Sequence, residues 1–168
     1  MNDIQREGIE DFVHLAFVHK KQLDMYIRSL PDEWATRGAC YTLEQVIEDE
    51  LKALVYLSNE YPAEKHNLPR FINQLENKGI KFSDTTVVSA ALATQWESIT
   101  RYGRSFNYSE REFRTVVNAE KEVFNVLEEK LKEMGLEALL TNNDIVGSSE
   151  IDKESDPDPT DDSDNIDP

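Results

Sequence analysis

Apolar residues return at helical intervals along most of this chain. From Asp3 to Leu30 the positions Ile9, Phe12, Val13, Ala16, Phe17, Leu23 and Ile27 fit one helix, and Pro31 stops the pattern. A second helix begins at Asp32, whose carboxylate can cap it. It sets Leu43, Val46, Ile47, Leu51, Leu54 and Val55 on one side before Asn59 and Pro62 break it. Asn67 can cap a short third helix, with Pro69 in its first turn where a missing N–H costs little, and Gly79 ends it after Lys78. Ser83 or Asp84 opens a fourth, carrying Val88, Ala91, Leu92, Gln95, Trp96, Ile99 and Tyr102 up to Gly103. Ser109 and Glu112 have the spacing of a capping box, and Phe113, Val117, Phe124, Leu127 and Leu131 form the stripe of a fifth helix. There is no fixed-period repeat and no alternating run long enough for a strand. The expected fold is all-α, an antiparallel helical bundle of four long helices plus a short one.

Composition changes this picture at one end. The 168 residues suit one domain. Past Leu140, however, aromatic residues disappear and Asp, Ser and Pro dominate, so residues 141–168 are expected to form a disordered acidic tail behind a bundle at 1–140. Of the formal charge of −16, this tail holds ten Asp/Glu against Lys153, or −9, which leaves −7 on the body. Bulk neutralisation of a nucleic-acid backbone is thereby disfavoured, and any contact with RNA or DNA needs a local basic patch. The single Cys40 cannot form an internal disulfide, Met1 to Phe12 lacks the apolar run of a secretory signal, and no stretch approaches a membrane span. A cytoplasmic protein is expected.

Most candidate chemistry has an ordinary reading. His14 and His19 lie five apart, about 500° around a helix, and with His66 they offer no metal-ligand pattern, so neither a metal nor a cofactor is expected. Glu48, Asp49 and Glu50, like Glu128 and Glu129, are read as solvated faces rather than as paired carboxylates. Cys40 is read as a core or half-buried thiol. The glycines are scattered singly, with neither a phosphate-cradling loop nor a nucleophile elbow. The stretch from Arg101 to Tyr108 differs, because Arg101, Tyr102, Arg104, Asn107 and Tyr108 concentrate two cations, two phenols and an amide between two helices. Guanidiniums there can grip phosphate and a tyrosine can stack on a base. The alternative is that Arg101 and Arg104 pair with Glu48 or Glu97 while the tyrosines close the end of the bundle.

Three segments resemble the HEPN family of small helical-bundle domains of prokaryotic defence and toxin–antitoxin systems. They are the Gln45–Glu48 pattern running into Leu51-Lys52-Ala53-Leu54, the turn His66-Asn67-Leu68 with Asn where the family has Asp, and Arg101-Tyr102 followed by Tyr108-Ser109 and a long amphipathic helix. The resemblance covers roughly residues 8–134. It implies a homodimer, a nucleotidyltransferase or other protein as partner, and nucleotide or RNA as ligand. Ribonuclease members place a His four to six residues after an Arg. Here Asn107 stands sixth from Arg101, and an amide cannot shuttle protons near neutral pH. The resemblance therefore points to the Arg-Tyr type, a non-catalytic module binding through Arg101, Tyr102, Arg104, Asn107 and Tyr108. The alternative it leaves is a divergent metal-independent endoribonuclease using Arg101, Asn107 and Tyr108. A third reading is an antitoxin-like protein whose acidic tail masks a basic partner.

Overall fold

The computed structural model describes residues 2–63, 67–102 and 109–141. Five α-helices follow in order, α1 (Asp3–Arg28), α2 (Glu33–Leu57), α3 (Leu68–Glu76), α4 (Asp84–Tyr102) and α5 (Glu110–Glu133), and a 3-10 turn at Glu137–Leu140 then packs back on α5 and α1. The all-α expectation holds, with no strand among the described residues. Residues 142–168 lie outside them, and the expected acidic tail with them. The helix starts follow the anticipated caps: Asp32 accepts from the N–H groups of Trp34 and Ala35, Asn67 from that of Arg70, and Ser109 from that of Glu112. A complete capping box at Asn2 and Gln5, which the sequence reading passed over, opens α1.

Helix α2 is the axis of the molecule, packing against α1, α3, α4 and α5. Through its middle such a helix has no solvated side, which corrects the expectation for its acidic run. Glu44, Glu48, Asp49 and Glu50 are all buried together with Leu43, Val46, Ile47, Leu51 and Leu54. Three of these carboxylates meet a basic side chain: Glu48 pairs with Lys52 at 2.5 Å, Asp49 with the His19 ring at 2.7 Å and Glu50 with Lys20 at 2.8 Å. Because adjacent residues on a helix diverge, each of the three points to a different partner.

Two tyrosine-on-glycine contacts bring α1 and α2 together. The Tyr56 ring of α2 lies where a Cβ on Gly8 of α1 would sit 2.8 Å away. Reciprocally, the Tyr26 ring of α1 lies closer still to the equivalent point on Gly38 of α2. Helix-interior glycine is unfavourable by about 1 kcal/mol relative to alanine. Here it lets an aromatic ring reach the opposing backbone at each end of the hairpin.

Helix α4 turns inward a face that only partly matches the one its apolar residues indicate, with Trp96 and Leu92 on it as expected. Ala90, Ala93 and Trp96 are buried with Thr86 and Ser89, whereas Val88 is 70% exposed and Ala91 and Gln95 face outward. Small residues allow α4 to approach α2 closely, and the hydroxyls of Ser89 and Thr94 donate to the carbonyls of Thr85 and Ala90, so their inward position leaves no donor unmet. The stripe of α5 holds at Phe113, Leu127 and Leu131, which are buried as expected, but between them Val116 and Val123 are buried and Val117 and Phe124 lie at its margin.

Candidate functional site

Helices α4 and α5 run antiparallel. Near the end of α4, Trp96 stacks on Phe113 of the first turn of α5 at 6.2 Å between ring centres, while at the start of α4, Ser83 and Thr86 hold Glu122. The end of α4 and the start of α5 therefore lie at the same end of the bundle. Arg101 and Tyr102 are the last two residues of α4. Arg104, Asn107 and Tyr108 lie outside the described residues, as does any contact of theirs, including the anticipated pairing with Glu48 or Glu97.

Beyond the junction, Arg111, Arg114, Thr115 and Asn118 fall at i, i+3, i+4 and i+7 and share the outer face of α5, opposite buried Phe113, Val116 and Val123. With Glu110 they line an open depression of about 470 Å³. Arg114 pairs with Glu110 at 2.5 Å, but both side chains are largely in water, where such a pair contributes little. Arg111 has no ion-pair partner among the described residues. Thr115 donates to the Arg111 carbonyl at 2.9 Å, which leaves its oxygen free to accept.

Glu122, one turn beyond Asn118, is engaged elsewhere. The Glu122 carboxylate accepts the Ser83 N–H and the hydroxyls of Ser83 and Thr86, each at 2.7 Å. Partial burial works against its ionisation, but these bonds outweigh it and hold the carboxyl below its usual range. It is thus spent on the first turn of α4. The outer face of the first three turns of α5 presents two cations, an amide and a hydroxyl, with the acid Glu110 at its rim. The sequence reading missed Arg111, Arg114 and Asn118, although the helical period that locates the buried stripe also locates them.

Other candidates resolve into structure. Cys40 is fully buried, and burial pushes its thiol up to about 12, so it stays protonated at neutral pH. His19 is committed to Asp49. Among the described residues no three His, Cys, Asp or Glu side chains gather to hold a metal ion.

The family described as HEPN domain matches residues 20–130, from within α1 to within α5. The chain belongs to the HEPN domain family. The matched HEPN region contains the whole α4–α5 junction and the depression beside it. Neither the comparison with curated proteins nor that with solved structures gives a match. No helix of this HEPN domain among the described residues is long and apolar enough to cross a membrane.

Proposed function

We propose that this chain is a non-catalytic HEPN module that binds RNA or a nucleotide by its phosphates across the α4–α5 junction. The observation that carries the reading is the cationic and amide face of α5, Arg111, Arg114, Thr115 and Asn118, lying directly beyond the Arg101–Tyr108 segment of a net-acidic chain. Arg101 and Arg104 grip phosphate, Asn107 hydrogen-bonds it, and Tyr102 and Tyr108 stack on bases. No histidine stands between residues 101 and 118, so the segment supplies charge and hydrogen bonds but no group that exchanges protons near neutral pH. Family membership supports a nucleotide- or RNA-related role. Resemblance alone supports a homodimer through the long helices and a nucleotidyltransferase or other protein partner in a toxin–antitoxin or defence setting.

Anisotropy of labelled single-stranded RNA with the full chain, as a function of salt, tests the reading. Replacing Arg111 and Arg114 together with alanine is expected to weaken binding about tenfold and to reduce the logarithmic salt slope by about 1.4, or about 0.7 for each lost phosphate contact. Both side chains are exposed, so the melting temperature should hold. An unchanged slope would remove α5 from the interface. The same RNA incubated in EDTA is expected to stay intact. Cleavage by wild type and not by Arg101→Ala would replace this reading with the ribonuclease one.

A further inference from the structure

The cationic face of α5 and the acidic residues past Thr141 belong to one chain, and their chemistries match. Arg111 and Arg114 stand three residues apart on a helix, so their Cβ atoms are about 5–6 Å from each other. Arg111 has no ion-pair partner among the described residues, and the Glu110 carboxylate that Arg114 meets is 66% exposed. A carboxylate brought to this face therefore displaces little. The far end of α5 is different. There Lys130 and Lys132 stand among Glu128, Glu129, Glu133 and Glu137, which leaves no cationic excess near the point where the described chain stops.

The acidic residues have a pattern of their own. Between Thr141 and Glu150 only Asp144 is charged, after which Glu150, Asp152, Glu154, Asp156 and Asp158 take every second position and Lys153 falls between them. Pro157 and Pro159 disfavour a helix there. On an extended chain alternate side chains share one side about 6.6 Å apart, close to the separation of the two arginines. The length fits as well. Arg111 lies about 33 Å along the helix axis from Glu133, and the 17 residues from Asn142 to Asp158 reach at most about 55–60 Å. The net-acidic body repels such a segment, but at about 0.15 M salt that repulsion fades within about 8 Å and local contacts decide.

We propose that residues 150–158 lie across Arg111 and Arg114 of the same chain when no ligand is bound, as a carboxylate stand-in for a phosphate backbone. The Asn118 amide donates from the same face. The segment is then a competitor that RNA or a nucleotide must displace. The competition, though not the contact, rests on the phosphate-binding reading above. A basic partner protein, the other occupant that a run of carboxylates suits, would leave Arg111 uncovered.

Arginine labelling of the full chain with phenylglyoxal, read residue by residue by mass spectrometry, tests the contact without RNA. The comparison is a full-length variant in which the ten acids past Thr141 become amides (Asp144→Asn, Glu150→Gln and likewise to Asp167). At about 50 mM salt Arg111 of the wild type should react about threefold more slowly than Arg111 of the variant, whereas the exposed Arg6 of α1 should react equally in both. At about 0.5 M salt the difference should vanish. Equal labelling of Arg111 in the two proteins overturns the proposal. So does protection that grows with protein concentration, which would place the segment on another copy.

Anisotropy with labelled single-stranded RNA tests the competition. The amide variant should bind about tenfold more tightly than wild type, and the same change made beside Arg111→Ala and Arg114→Ala should gain clearly less. An equal gain in both backgrounds would mean long-range repulsion alone and overturns the competition. Protected Arg111 with no RNA binding by either form would remove the phosphate-binding reading and leave the contact standing. Unprotected Arg111 with RNA binding that needs the two arginines would do the reverse.

Discussion

Lys20→Met is expected to lower the unfolding free energy by about 3–5 kcal/mol at pH 7.5, because it strands two carboxylates in the interior. The Lys20 ammonium lies 2.8 Å from Glu50 of α2 and 2.8 Å from Glu120 of α5, over the Phe124 ring at 3.4 Å. One cation from α1 thus ties together two other helices. Glu50 is fully buried and, among the described residues, neither of its oxygens receives a well-directed hydrogen bond, so the ammonium alone offsets its desolvation. Burial and the neighbouring Glu120 push the Glu50 carboxyl well above its usual range, against the pull of Lys20. For Lys20, burial acts downward, but two carboxylates outweigh it and raise its pKa.

The pH dependence of this triad has a definite sign. A carboxyl whose folded pKa lies above its unfolded value binds its proton more tightly in the native state. Its contribution to stability therefore falls as pH rises through the folded value and is regained as pH drops toward the unfolded one. The raised lysine pKa acts in the alkaline range, where its contribution is lost only above the usual lysine value. Acidification from pH 7.5 toward pH 5.5 should accordingly shrink the deficit of Lys20→Met, since a Glu50 carboxyl raised in this way takes up its proton before it would in the unfolded chain. Glu50→Gln, which removes the buried charge but keeps an acceptor for Lys20, should lie within about 1 kcal/mol of wild type and flatten the profile. Urea denaturation of the three proteins at both pH values decides the matter. A Lys20→Met loss below about 1 kcal/mol at pH 7.5 would show that the triad is solvated.

The helices were legible in the sequence because their ends are chemically local. Asp32, Asn67 and Ser109 cap from within three residues, and Gly79 takes a positive φ of 85° after α3. Which side of a helix faces in depends on neighbours distant in sequence. In α4 the inward residues are small and hydroxylated, so a count of large apolar side chains chose Val88 and missed Ala90 and Ala93. In α2 the acidic run reads as a solvated face until four other helices are placed around it. The site divides in the same way. Arg101 and Tyr102 stand out by composition, whereas Arg111 and Asn118 matter only once α5 is known to bury its opposite face.

Phe71→Ala is the second substitution expected to cost about 3–5 kcal/mol, through loss of packing rather than of charge. Phe71 is fully buried on α3, a helix of nine residues that is too short to be stable alone. What holds it is its inner face, Leu68, Phe71, Ile72 and Leu75, set against α2 and α4, with the Leu68 N–H donating to Thr94 of α4 at 3.2 Å. The ring also lies 5.9 Å from the Lys52 ammonium, which sits 4.9 Å from Phe12 and pairs with buried Glu48. Removing it opens a cavity and takes away one of the two ring faces that surround this ion pair. Phe71→Leu keeps most of the volume and should cost clearly less than alanine. Hydrogen exchange should then show the amides of α3 losing protection in Phe71→Ala before those of α2 do, because Phe71 is the largest of the few side chains that hold this short helix in place. A loss below about 1.5 kcal/mol with α3 still protected would mean that its cap and the Leu68–Thr94 bond hold the helix, and that the ring only fills space.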